Sequence, residues 1–281
     1  MPGLRYAAIR AMFEALWASQ LPRLIRRLSK SRGVIFTLHR VLPEDPGDFS
    51  PNAILQVKPE FLDFAIGRIR DLGIDIVDLG EGLRRIESDR PERKFVVFTF
   101  DDAYRDNLRY ALPVLRRNQC PFTLYVPTAF VDGVGEIWWQ ALEDIIASRK
   151  AIALTYAGET DYIPAASLTE KNTAYDQIYR RMRAIPEAER VELIRALAAQ
   201  YGFDLHAHCR ELIMDWTELR LFAAEQLCTL GAHTVHHYEL SKLAAADARS
   251  EIEQSLRVMK AQFGMAPIHL SYPIGSEAAC G

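Results

Sequence analysis

The 281-residue sequence predicts an α/β fold, and three observations carry the prediction. Apolar runs of strand length alternate with stretches of helical periodicity across short connections, the pattern of a parallel sheet. The run Val96-Val97-Phe98-Thr99-Phe100 is apolar almost throughout and reads as a buried strand. Residues 138–220 are mostly helical and too many for a simple crossover, so an inserted helical subregion is expected there.

In chain order, residues 34–38 read as the first strand and the Pro- and Gly-rich stretch 43–51 as a loop. Phe61, Phe64, Ile66 and Ile69 fit a helix, with Gly73 beyond its end. A short strand at 74–77 and a helix at 81–88 precede the strand at 95–100. A helix at 107–117 and a strand at 122–126 follow. Pro127 and the Gly133-Val134-Gly135 turn then break the alternation. The insertion holds one weakly signalled strand near 152–156. Alternation resumes with a strand at 226–232, a helix at 244–263 and a last strand at 268–272.

If these strands form a barrel, functional groups collect at their C-terminal ends. His39, Asp101, Asp102, Pro127 and His233 all stand there. Two adjacent acids at the mouth of a buried strand repel each other and resist desolvation. The pairing makes sense if a cation or a catalytic proton separates their roles. A second cluster, Gly231-Ala232-His233-Thr234-Val235-His236-His237, supplies the other half. His233 and His237 are four apart, the spacing of two imidazoles on one helical face. One Asp with two His is a ligand set for an open divalent metal site. The second Asp is then free to act as a general base.

These motifs resemble the polysaccharide deacetylases. Thr99-Phe100-Asp101-Asp102 is similar to that family's first motif, TFDD, and His233-Thr234-Val235-His236-His237 to its second, H-S/T-x-x-H. Ser271-Tyr272-Pro273-Ile274-Gly275 looks like a variant of the third, R-x-P-F/Y-G. The likeness covers about residues 33–281 outside the insertion. It implies an irregular (β/α) barrel of fewer than eight units. It implies Asp101 as general base and Asp102, His233 and His237 as ligands of a divalent metal, zinc or another transition metal. It implies the backbone N–H of Ile274 as oxyanion donor. The implied reaction removes N-acetyl groups from amino sugars in oligo- or polysaccharides.

Three departures bear on that reading. Ala103 stands where the family has Gly, a mild change if φ is negative. Ser271 stands where the family has an Arg that helps orient the catalytic acid. The family continues past its third motif and supplies a later His as general acid, whereas this sequence ends at Gly281. The expectation is a barrel incomplete at its C-terminus, with an exposed edge near 268–272, prone to association and impaired or inactive. A non-catalytic carbohydrate-binding or scaffold derivative of the fold is the alternative, and a hydrolase of another amide a third. Candidate substrate contacts are His39, Tyr104, Trp138 and Trp139, either Trp being equally able to anchor the insertion. His236 is expected at the surface or behind the ligands, and His206 and His208 in structural or solvated roles.

The apolar fraction of 49% supports a sizeable core. Residues 1–32 carry a net charge of +6 and the remainder −9, so the body gives no support for a nucleic-acid partner. Cys120, Cys209, Cys228 and Cys280 are widely spaced, which suggests neither a disulfide framework nor a zinc-cysteine site. No apolar run is long enough to span a membrane. Arg5, Arg10 and Glu14 interrupt any secretory signal, so a cytoplasmic location is expected. The stripe Ile9, Met12, Phe13, Leu16, Trp17, Leu21 predicts an amphipathic helix within 1–32, ahead of the barrel domain at 33–281 and its insertion at 138–220. It either packs on the body or touches a membrane surface or partner through its basic side chains.

Overall fold

The computed structural model describes residues 31–90 and 92–275, and the helix expected over 1–32 falls almost wholly outside them. Five strands form one parallel sheet: β1 (Gly33–Leu38), β4 (Asp75–Ile76), β5 (Phe95–Phe100), β6 (Phe122–Val126) and β9 (Cys228–Ala232). Their order is β1-β5-β6-β9, with β4 against the start of β5. A separate parallel pair joins β2 (Arg40–Val41) to β3 (Gln56–Val57). Every residue of β5 and β6 is buried. That explains their unbroken apolar runs, because a parallel strand covered on both faces has no solvent side.

Register sets the site. Leu38 pairs with Phe100, Phe100 with Leu124, and Val126 with Ala232. β1 and β5 thus end level, β6 and β9 end level two residues further on, and the residues after all four emerge on one rim. Helices flank the sheet: α1 (Pro59–Asp71), α2 (Leu79–Glu87), α3 (Leu112–Arg117) and α10 (Ala245–Phe263). The helix expected over 107–117 divides, with a π-turn at Asn107–Ala111 leading into α3.

The insertion contains α5 (Trp138–Ala147), α6 (Leu168–Ala184), α7 (Glu187–Tyr201), α8 (Leu205–Leu212) and α9 (Trp216–Ala223), after the short α4 (Thr128–Val131). Caps fix their starts: Ser167 and Glu170 form a reciprocal box at α6, and Asp215 and Glu218 another at α9. The single strand expected near 152–156 is half of an antiparallel hairpin, β7 (Ala151–Tyr156) with β8 (Glu159–Pro164).

The last expected strand, 268–272, is reduced to one parallel bridge between Ala232 and Leu270. Pro267 and Pro273 bracket it, and proline cannot donate to a ladder. Among the described residues, β1 pairs only with β5. Val34, Ile35 and Phe36 of β1 are about half exposed, and Ile268 is 88% exposed. No helix of the described residues is long and apolar enough to cross a membrane.

Candidate active site

The acid pair is held by a strained turn. Asp101 N–H donates to Leu38 O at 2.9 Å and extends the ladder one residue past β5. Asp102 and Ala103 then adopt φ of 73° and 59°, and the chain reverses. The sequence reading treats Ala for Gly at 103 as mild on condition of negative φ, and that condition is not met. Two left-handed non-glycine residues cost about 1–2 kcal/mol each. The turn persists because it is enclosed: Ala103 O accepts from Met214 N–H, and Tyr104 bridges to Ile213 at the end of α8.

The His pair also stands on a turn and not, as its spacing suggests, on one helical face. Thr234 has φ of 63° and His237 of 60°, which no continuing helix accommodates. His233 N–H donates to Val126 O, and His237 N–H to Thr234 Oγ1. Glu251 of α10 fastens the loop from outside. Its carboxylate accepts from the backbone N–H of Val235 and His236 at 3.0 and 2.9 Å and meets His236 Nδ1 at 2.6 Å. His236 is thereby engaged by α10, its side chain half exposed.

The two turns bring three donors together. Asp102 Oδ1 lies 3.3 Å from His237 Nε2 and 3.7 Å from His233 Nε2. All three residues are buried. His233 Nδ1 faces Ser271 O at 2.8 Å; a carbonyl only accepts, so Nδ1 carries the proton and Nε2 keeps its lone pair for the cluster. Asp101 Oδ2 is 3.8 Å from His233 Nε2, and Asp101 Oδ1 has no hydrogen-bond partner among the described residues. Ser271 thus holds the His233 ring through its backbone, whatever its side chain lacks.

Burial dominates the electrostatics. It pushes Asp101 up to about 7, and Asp102 well above the ordinary carboxylate range, with the neighbouring Asp101 adding to the effect. It lowers His39 and His233 to about 4 and His237 well below its usual value. Both carboxylate oxygens of Asp102 are buried without a hydrogen bond among the described residues. Buried polar atoms are seldom left unmatched. A carboxylate beside two neutral imidazoles is the donor set of a divalent cation, and these residues fit one.

A cavity of about 610 Å³ opens over this cluster. His39, Trp138, Trp139 and Ile274 line it. Trp139 also packs its ring 4.9 Å from that of His237. Tyr104 does not line it: the side chain is fully buried, and its hydroxyl accepts from Trp139 Nε1. His208 is buried against Asp144, and Cys120, Cys209 and Cys228 are free thiols. The sequence reading missed Glu251, which stands in an ordinary charged helix, and the α6 wall of the cavity. That wall, Asn172, Tyr175, Asp176 and Tyr179, has helical spacing that a search for one polar-aromatic face would find.

A family model described as polysaccharide deacetylase matches residues 88–279. No curated protein shows significant sequence similarity to the chain. Among solved structures, the Streptococcus pyogenes deacetylase PplD in complex with acetate is similar over 90% of this chain and 79% of its own, with 16% identity and a TM-score of 0.54. IcaB from Ammonifex degensii aligns over the same shares at 16% identity, with a TM-score of 0.48. The BpsB deacetylase domain from Bordetella bronchiseptica aligns over 88% of this chain and 82% of its own, at 14% identity and a TM-score of 0.46. The match to the family model spans well over half of the sequence, and the chain belongs to the polysaccharide deacetylase family.

Proposed function

We propose that this chain is a metal-dependent N-deacetylase of N-acetylated amino sugars in an oligo- or polysaccharide. The observation that carries the reading is the buried, unpartnered Asp102 carboxylate beside His233 and His237, with Asp101 one residue away. Asp102, His233 and His237 would hold a divalent metal, zinc or another transition metal. Such an ion supplies Lewis acidity and eases deprotonation of water at neutral pH.

The remaining work falls to the protein. Asp101 Oδ1 is a buried acceptor free to take the proton of the attacking water. The proton it gains is then at hand for the departing amine. The N–H of Ile274, at the cavity wall, is offered to the carbonyl oxygen as it gains charge. His39, held neutral at pH 7 by burial, offers a hydrogen bond to substrate and no charge. Trp138 and Trp139 give the cavity an apolar flank suited to the acetamide methyl and sugar ring.

The test is acetate and free-amine release from an N-acetylglucosamine oligomer, with and without chelator. Release should stop in chelator and return on adding metal. Asp101→Asn should keep the metal and lose about a hundredfold to ten-thousandfold in rate. His237→Ala should lose the metal itself. Release that persists in chelator, or Asp101→Asn turning over at the wild-type rate, overturns the reading.

A further inference from the structure

Strand β1 carries apolar side chains that continue the main core and lie open. Val34 pairs with Val96 and Phe36 with Phe98, so all four project on one face of the sheet. On β5 that face is buried core, shared with Leu62 and Ile66 of α1. On β1 it meets water: Val34 is 47% exposed and Phe36 41%, although the Phe36 ring lies 5.7 Å from that of Phe98. Strands of a parallel sheet are normally covered on both faces. An apolar surface left open beside a core marks a contact.

The chain itself supplies a cover of the right kind. The described residues begin at Ser31, two positions before β1, and residues 1–30 precede them in sequence. Ile9, Met12, Phe13, Leu16 and Trp17 recur at helical spacing, whereas Ala7, Ala11, Glu14 and Ala18 fall on the opposite side. Pro22 and the residue before it disfavour a continuing helix, so the sequence predicts the helix over 4–20. Such a helix is about 25 Å long. The six residues of β1 extend about 20 Å, so it can run the length of the strand. Residues 22–30 are then a tether back to β1.

Two further observations favour this occupant. Residues 1–32 carry a net charge of +6 and the remainder −9, so the segment is attracted to its own body. A short tether also gives it an effective concentration in the millimolar range, which no separate partner has. Residues 276–281, at the other terminus, have no large apolar side chain to offer apart from Cys280.

We propose that the amphipathic segment at residues 4–20 docks in cis on β1, with its Ile9–Trp17 stripe against Val34 and Phe36. The contact bears on the site, because β1 holds the acid turn: Leu38 O accepts from Asp101 N–H, and His39 lines the cavity. The inference is independent of the reaction catalysed.

The experiment uses the full chain with a photoreactive benzoylphenylalanine in place of Leu16, irradiated at low concentration without lipid. Tryptic mapping should find it joined to the peptide 33–40, and the same group in place of Ala11 should not give that product. Mixing isotope-labelled with unlabelled chains separates links within a chain from links between chains. In a second arm, trypsin cleavage after Arg23, Arg26 and Arg27 is timed. It should quicken about tenfold in Leu16→Asp and in Val34→Asp, because cleavage follows the population of the undocked segment. A thermal melt establishes that each variant is folded, and Leu16→Asp alone decides this arm if Val34→Asp is not. Links only between chains would give the face to a second copy and overturn the proposal. No link to 33–40, or equal linking from Ala11, also overturns it. So does a wild-type segment cut as fast as that of Leu16→Asp; protection by anionic phosphatidylserine vesicles alone would then assign the segment to a membrane surface.

Discussion

Asp101 and Asp102 are neighbours in one turn, yet they stand in different positions. Asp102 has two orphaned oxygens among three converging donors, whereas Asp101 has one orphan and a single distant imidazole. The first arrangement calls for a cation and the second for a proton. The charge of Asp101 in the metal-free protein is therefore worth measuring. Burial raises its carboxyl from 3.8 to about 7. Between those values the folded protein holds a proton that the unfolded chain has released. Stability then falls as pH rises, by about 1.4 kcal/mol per pH unit for this group. The imidazoles of His39 and His233 act in the opposite sense, since their folded values lie near 4, below the ordinary 6.5. A comparison with Asp101→Asn cancels them. In chelator, the Asn variant should gain on wild type steadily from about pH 4 to 7 and keep the margin above 7. Urea melts giving the same margin at both ends of that range would show that Asp101 ionises freely in the folded state.

Among the elements, α10 is the one that makes the His loop a site. Three groups of that loop meet Glu251, while Thr234 and His237 hold left-handed backbone that is strained on its own. Glu251→Ala should weaken metal binding by about tenfold, the lower end of what lost support behind a metal site costs, because the loop that carries His233 and His237 loses its fastening to α10. Glu251→Gln retains an oxygen for the two N–H donors and should recover part of that loss. Competition with a chromophoric chelator measures both, and a Glu251→Ala protein with unchanged affinity would show the loop to be self-supporting. This clamp illustrates what the sequence could and could not express at this scale. Strands β5 and β6 were legible because burial on both faces leaves an apolar run with no competing pattern. Strand β8 was not: Glu159, Asp161 and Pro164 interrupt it, and only Ile163 is buried. Its turn, Ala157-Gly158, has φ of 52° and 82° without the Asn-Gly or Asp-Gly signature such turns favour. The three candidate donors, Asp102, His233 and His237, were legible as a set, but their convergence was assigned to helical spacing when two left-handed turns produce it. Turn geometry of that kind depends on partners such as Met214 and Glu251, far away in sequence.

At the scale of the molecule, the site joins parts of the chain that little else in the sheet connects directly. Asp102 follows β5, His233 and His237 follow β9, and the whole insertion intervenes between them in sequence. Strand β6 separates β5 from β9, so the two turns meet only over the rim. Without a cation, the rim holds buried carboxyls and imidazoles whose charged forms are all disfavoured by desolvation. The spacing of the α6 wall was legible in the sequence but its place was not: the wall lines the cavity only because the insertion returns to the mouth. A metal ion bound at Asp102, His233 and His237 would tie these parts together and relieve the carboxylate cost at once. Binding to the folded state alone stabilises by about 2.7 kcal/mol when free metal is a hundredfold above its Kd. For a chain of 281 residues that corresponds to a rise in Tm of about 5 °C. The wild-type protein should show this shift with zinc or another transition metal, reversed by chelator, and His237→Ala should show little of it. A wild-type Tm that no divalent transition metal moves, measured by scanning calorimetry at neutral pH, would mean that the three donors do not close on an ion and that the buried acids are satisfied in another way.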